Sequence, residues 1–257
     1  MRRNITMRVN MRDSTAANRN FYDVLWSETH LERPDRFNTW PLISDYLQVA
    51  PVRLEIGPGL RPRLPISGTH FVDISPPVIE RLTTSGGIAT LGEITELPFS
   101  DGTFELVAAF DVVEHAEDDR RIFGEVSRVL KEGGLFIFSV PLHAGLWTEF
   151  DEFVGHVRRY DPAELLTLLA VHDLVLERSA AYGMQPSNPR LLNFGLWWLK
   201  NRRREAMWWY NRVLLPLGMR FQKQLKFVAG LIDAPGVDEI VLVCRKQSGS
   251  QPETMIH

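Results

Sequence analysis

The stretch Val52-Arg53-Leu54-Glu55-Ile56-Gly57-Pro58-Gly59 constrains this chain more than any other. Apolar residues lead into an acid and then two glycines in Gly-x-Gly spacing, the pattern of a buried strand entering a tight turn. Glycine serves where a backbone must bend sharply or lie against a ligand. His70-Phe71-Val72-Asp73-Ile74 reads as a second strand ending in an acid. In a doubly wound sheet both strand ends face one crevice at the carboxyl edge. Function is expected there.

The rest of the chain extends this pattern. Leu42, Ile43, Tyr46 and Leu47 sit at helical spacing and form a lead-in helix that Pro51 ends. Strands are expected at 52–57, 70–74, 88–91, 104–110 and 135–140, with a sixth opening at 174 and a last one at 239–244. Phe104 to Phe110 is nearly continuous in apolar residues, as befits a parallel strand buried on both faces. Ile122, Phe123, Val126, Val129 and Leu130 make one helical face, which Gly133-Gly134 should stop. Asp161-Pro162 opens a further helix through Leu169. Between strands 1 and 2, Pro62, Pro65 and Gly68 leave almost no room for a crossover helix. Strands alternating with helices give an α/β sheet with right-handed crossovers.

The domain limits follow. Residues 1–17 are polar and aperiodic, and are expected to be disordered. Residues 18–182 and 237–246 form the sheet domain, 183–236 a helical cap, and 247–257 a flexible tail. With 257 residues, 44% hydrophobic and 24% charged, the composition is globular, and a net charge of -3 gives no reason to expect nucleic acid as a partner. Cys244 is the single cysteine, so a disulfide framework or a cysteine zinc site is excluded. A lone cysteine, with no apolar run long enough for a signal peptide or a membrane span, points to the cytoplasm.

An acid at the end of strand 2 can accept both ribose hydroxyls of a nucleoside, in a dinucleotide or in S-adenosylmethionine. Downstream residues separate the two. Gly92-Glu93-Ile94, Leu97-Pro98-Phe99, Gly102, Phe104 and Val107 are followed by Phe110-Asp111-Val112-Val113-Glu114-His115 and then Val129-Leu130-Lys131, Gly133 and Gly134. With this series the chain resembles the class I S-adenosylmethionine-dependent methyltransferases of the small-molecule type, over about 50–180 and the closing strand. The resemblance implies a Rossmann-like, doubly wound, mostly parallel sheet of about seven strands with an antiparallel last strand. It implies S-adenosylmethionine as cofactor and methyl transfer to a small or lipophilic acceptor.

The resemblance also implies site residues. Glu55, Gly57, Pro58 and Gly59 would hold the methionine part and Asp73 the ribose, with Ile74 beside the adenine. Glu93 and Ile94 would lie near the adenine amine. Phe110 and Asp111 would face the sulfonium, His115 would follow them, and Tyr22 would lie over the methionine part. The third glycine of the motif is absent, because Leu60-Arg61-Pro62 follows Gly59, so Arg61 or Arg63 is expected to meet the cofactor carboxylate. His156 or His143 would be the general base for a hydroxyl acceptor. No metal is expected. The alternative is a divalent ion on Asp111, Glu114 and His115, like the acid-(two)-Glu-His set of some O-methyltransferases.

Residues 190–226 hold nine Lys/Arg against one acid, Glu205, together with Trp197, Trp198, Trp208, Trp209 and Tyr210. This suits either a cap with a solvated basic face or peripheral contact with the inner membrane surface. Two other readings stay open: a non-catalytic S-adenosylmethionine-binding scaffold and a nicotinamide-dependent oxidoreductase. The oligomeric state is not legible.

Overall fold

A computed structural model describes residues 29–183, 189–232 and 236–247. Tyr22, the 1–17 segment and residues 248–257 of the expected tail lie outside them.

One eight-stranded sheet organises the chain, in the order β3-β2-β1-β4-β5-β8-β6-β7. The strands are β1 (Arg53–Ile56), β2 (Thr69–Asp73), β3 (Ile88–Leu91), β4 (Phe104–Ala109), β5 (Leu130–Pro141), β6 (Leu174–Tyr182), β7 (Val228–Ala229) and β8 (Glu239–Lys246). The pairs from β3 to β5 are parallel. β8 runs antiparallel to both β5 and β6 and lies between them. The expected antiparallel last strand is therefore present. The eighth strand, β7, has two residues that pair with Arg178 and Ser179, too few to leave a period-2 pattern in sequence. Strand 5 starts earlier than expected. The Asp119–Val129 helix ends before the two glycines, and these lie inside β5, where Gly133 takes φ +73° and the register with β4 shifts between Phe104 and Leu106.

Side chains alternate across the sheet, as the pleat requires. Val107, Ala109, Phe136, Phe138, Val140, Ile240, Leu242 and Cys244 face a layer built on Ile122, Phe123, Val126, Leu165 and Leu169 of the Asp119–Val129 and Pro162–Val171 helices. Leu106, Ala108, Phe110, Leu135, Ile137, Val241 and Val243 face the other way, toward Leu42 and Ile43 of the Trp40–Tyr46 helix. The central strands are thus buried on both faces, which explains their unbroken apolar runs.

No helix joins β1 to β2. Backbone hydrogen bonding in that loop is supplied by Glu55, whose carboxylate accepts from Arg63 N (2.8 and 3.0 Å) and Leu64 N (2.8 Å). The segment expected as a helical cap holds helices at Pro189–Asn201, Arg203–Trp209 and Leu215–Arg220, with a wide turn over Tyr210–Leu214, and its later part returns to the sheet as β7. Leu215, Met219 and Tyr210 pack on Phe37. Asn38 N donates to Gln222 Oε1 at 2.6 Å. Among the described residues, no helix is long and apolar enough to cross a membrane.

Candidate active site

The strand order reverses between β1 and β4, whose chain connections leave in opposite directions, and this is where doubly wound sheets bind ligands. Ile56 pairs with Ala109, so the glycine turn and Phe110-Asp111 leave the sheet side by side. Gly57 takes φ +61° and Gly59 φ +53°, in the left-handed region that only glycine enters without strain. A Cβ on Gly57 would stand 2.7 Å from Val112 Cγ2. The turn is tied to its neighbours. Gly57 N donates to Val72 O at 2.8 Å, and Gly59 N donates to Asp73 Oδ2 at 3.0 Å. Asp73 Oδ1 accepts from Ser75 N at 2.9 Å. Pro58 is buried and Ile74 half-buried beside these groups. Glu93 is exposed and pairs with Glu96 in a bridge after β3, and Ile94 packs on the main core.

Glu55 is buried beneath this turn, and burial pushes its carboxyl up to about 7, against the two backbone N–H donors and Arg63. Arg63 is buried too. Its guanidinium stacks 3.8 Å from the Phe37 ring centroid, donates to Arg61 O at 2.7 Å and to Tyr182 OH at 3.1 Å. Arg61 donates to Asn211 Oδ1 at 3.1 Å and Tyr210 OH at 3.4 Å, both in the cap. The two arginines expected near the cofactor carboxylate bind the loop to the 189–220 helices and to β6.

Asp111 is partly open to solvent, with protein groups crowded round its carboxylate. It takes φ +57°, a conformation few non-glycine residues hold and one often found at functional sites. Ser139 Oγ holds it by accepting from Asp111 N (2.9 Å) and donating to Asp111 Oδ1 (2.5 Å). Glu239, the first residue of β8, hydrogen-bonds the same carboxylate. Burial alone would raise Asp111. The hydrogen bond from Glu239, the Arg63 charge and Ser139 outweigh it, and Asp111 lies below the ordinary carboxylate range. Burial and the Asp111 charge push Glu239 well above that range, so Glu239 keeps the proton of the pair. Sequence reasoning did not find Glu239 or Ser139. Both had signals. Ser139 is a buried polar residue in an apolar strand, and the first residue of an antiparallel last strand falls at the carboxyl edge of β5, where Glu239 pairs with Pro141.

Beyond β5, His143 takes φ +60° at the start of a single turn over Ala144–Leu146. His156 Nδ1 lies 2.9 Å from Asp151 Oδ1. Asp151 is fully buried and accepts from Thr148 N, Thr148 Oγ1 and both Nε and Nη2 of Arg159. Despite burial, these bonds hold its carboxyl well below the ordinary range. His115 Nδ1 lies 3.1 Å from Gly155 O, and burial pushes its ring down to about 4. Of the alternative metal set, Asp111 is not part of the cluster in which Glu114 and His115 converge with His156. Their ligand atoms lie within 4.8 Å of one another.

A family described as "Methyltransferase domain" matches residues 61–138. A probable S-adenosylmethionine-dependent methyltransferase of Mycolicibacterium smegmatis is 37% identical over 82 residues, which cover 30% of this chain and 31% of that protein. A sarcosine/dimethylglycine N-methyltransferase of Halorhodospira halochloris is 45% identical over 49 residues, 19% of this chain and 18% of that one. The matched stretches thus span under a third of these relatives. Among solved structures, a possible histamine N-methyltransferase from Thermotoga maritima superposes with TM-score 0.55 over 92% of this chain and 94% of its own, at 14% identity. The cyclase SpnF does so with TM-score 0.55 over 93% and 94%, at 16% identity. These structures share the fold. The family match over 61–138 and these relatives support a class I S-adenosylmethionine-dependent methyltransferase domain, and the solved structures share its Rossmann-like fold.

Proposed function

We propose that this protein transfers a methyl group from S-adenosylmethionine to a small or lipophilic acceptor that enters between the sheet edge and the 183–236 cap. The observation that carries the reading is the join of the glycine turn to the strand 2 acid through Gly59 N and Asp73 Oδ2 at 3.0 Å, at the sheet's switch point. Asp73 would offer its carboxylate oxygens to the ribose hydroxyls. Gly57, Pro58 and Gly59 would lie against the methionine part, with Glu55 fixing the loop beneath them and Tyr22 joining from the lead-in. Ile74, Glu93 and Ile94 would line the adenine. Phe110, Asp111 and His115 would face the sulfonium.

Transfer is an in-line displacement. The acceptor's lone pair forms the new bond to the methyl carbon as the carbon–sulfur bond breaks, and that electron pair returns to sulfur as the neutral thioether leaves. The protein's task is alignment and exclusion of water. A hydroxyl acceptor would also lose a proton, and His156 and His143 are the proposed bases. The Asp151 contact to His156 Nδ1 supports a fixed tautomer with Nε2 directed away from Asp151.

The test is incubation of the purified protein with cell extract and a deuterated methyl donor, with labelled products read by mass spectrometry. A labelled small molecule is expected. Saturable binding of S-adenosylmethionine with no labelled product would favour a non-catalytic scaffold. Binding of NADH in its place would favour an oxidoreductase and overturn the reading.

The cap supports a second reading, contact with an anionic membrane surface. Phe194, Trp197, Trp208, Trp209, Leu217 and Phe221 are exposed there, and Arg202, Arg204, Arg212 and Arg220 are exposed among them. Aromatic and basic residues interleaved in this way suit a lipid interface. Co-sedimentation with phosphatidylserine vesicles but not with phosphatidylcholine vesicles is expected. Equal recovery in the supernatant with both refutes it.

A further inference from the structure

We propose that Glu114, His115 and His156 form a site for a single divalent first-row transition ion such as zinc or manganese. Four observations carry this. First, the three side chains converge, with ligand atoms within 4.8 Å of one another and His156 Nε2 at 3.7 Å from Glu114 Oε1. Tetrahedral ligands at about 2.1 Å from an ion stand about 3.4 Å apart, so each side chain needs an inward shift of under about 1 Å.

Second, both imidazoles are set in the ligating tautomer. The Gly155 carbonyl can only accept, so His115 Nδ1 carries the proton at their 3.1 Å contact. The Asp151 carboxylate likewise can only accept, so His156 Nδ1 carries the proton and donates it to Asp151 Oδ1 in a hydrogen bond of 2.9 Å. In a neutral imidazole the lone pair is then on Nε2. Ligating histidines characteristically donate their other N–H to a carbonyl or a carboxylate, and here one does each. Third, the two rings meet edge to face at 4.9 Å between centroids. They come from elements 41 residues apart in sequence, so the fold and not local spacing brings them together.

Fourth, Glu114 is 1% exposed. Its Oε2 is buried and accepts no hydrogen bond, and among the described residues no lysine or arginine pairs with it. A buried carboxylate without a cation is costly. A metal ion would supply that partner. Two nitrogens and one carboxylate suit borderline ions, whereas magnesium and calcium call for oxygen shells. Three protein ligands also leave coordination positions open. With an ion bound, the His156 lone pair is engaged, and His143 is left as the base for a hydroxyl acceptor.

The test does not depend on methyl transfer. The full chain is stripped with chelator and titrated with cobalt(II), read by visible absorption, and with zinc, read by calorimetry. One ion per chain is expected, with magnesium failing to displace it. Glu114→Gln and His156→Ala should each weaken binding by more than ~10-fold, while His30→Ala, at an exposed histidine outside the cluster, should not. Circular dichroism checks that each variant folds. If Glu114→Gln does not, His115→Asn replaces it. No saturable uptake by the wild-type chain, or uptake that survives in folded His156→Ala, overturns the proposal.

Discussion

Replacing Gly57 with alanine tests the geometry at the centre of the site. The backbone there has φ +61°, and the new Cβ would lie 2.7 Å from Val112 Cγ2 and 2.9 Å from Cγ1. The left-handed conformation costs a residue with a Cβ about 1–2 kcal/mol. Overpacking against a β-branched side chain adds about 1–3 kcal/mol. Together they predict a loss of roughly 2–5 kcal/mol, which leaves a chain of ordinary stability folded. The two parts can be separated. Val112 Cβ is 3.5 Å from the new atom, an ordinary contact, so Gly57→Ala/Val112→Ala removes the clash and leaves the φ strain. Val112→Ala alone should cost only about 1 kcal/mol, since the side chain is half-buried. Urea unfolding of the four proteins gives a double-mutant cycle with an expected favourable coupling of about 1–3 kcal/mol. If Gly57→Ala costs under about 1 kcal/mol, the turn is not strained as described. Failure of Val112→Ala to recover any of the loss would refute the packing argument. On the proposed function, Gly57→Ala also weakens S-adenosylmethionine binding, and the double variant recovers part of it.

Asp73→Ala removes the acceptor of Gly59 N and the proposed ribose contact. Charged hydrogen bonds contribute about 1.5–3 kcal/mol each, so calorimetry should show S-adenosylmethionine binding at least ~10-fold weaker, and unchanged affinity would remove Asp73 from the site. Glu55 has a folded value of about 7 against an ordinary 4.5. The folded chain therefore holds the proton that the unfolded chain has lost, and stability falls as pH rises from 4.5 to 7. The wild-type urea midpoint should decline over that window, and Glu55→Gln should flatten part of the decline. A slope unchanged in Glu55→Gln assigns the titration elsewhere. Arg61→Ala removes the contacts to Tyr210 and Asn211, so limited proteolysis should cut faster within 189–220, and an unchanged digestion pattern would show that Arg61 does not anchor this segment, leaving that task to contacts such as Phe37 and Asn38–Gln222.

Seven of the eight strands of this fold were legible because they obey local rules. β4 and β5 read as apolar runs because both faces are covered, and the turn after Ile56 was marked by glycines that the backbone needs. The missing crossover helix was legible as Pro62, Pro65 and Gly68. β7 was not legible, because two residues on an edge strand have no periodicity. The Glu239–Asp111 pair joins residues 128 apart in sequence, and only the antiparallel insertion of β8 between β5 and β6 brings them together. Asp111, Glu114 and His115 looked like one ligand set from their spacing. The single turn at Val113–His115 groups the last two with His156 instead, and spacing alone cannot report a partner from another loop.

The charge at the sheet edge bears on the proposed reaction. Asp111, Glu114 and Glu239 act on one another there, and the Arg63 charge acts on Asp111. The sulfonium carries a full positive charge that the transition state is already losing. Fully ionised carboxylates beside it would stabilise the ground state more than the transition state and slow transfer. The arrangement moderates this. Burial and the Asp111 charge keep the proton on Glu239, and burial with the Asp111 and Asp151 charges raises Glu114 likewise. Before any ion binds at Glu114, Asp111 is then the one of these three that remains ionised, and Ser139 and Glu239 share its charge through hydrogen bonds. That is enough negative potential to favour a cationic donor over the neutral thioether product, and it limits how tightly the donor is held before it reacts. Glu239→Gln keeps the donor hydrogen bond and should leave methyl transfer near the wild-type rate. Glu239→Ala removes it, leaves Asp111 more fully charged, and should tighten donor binding while slowing turnover, which is the split expected of ground-state stabilisation.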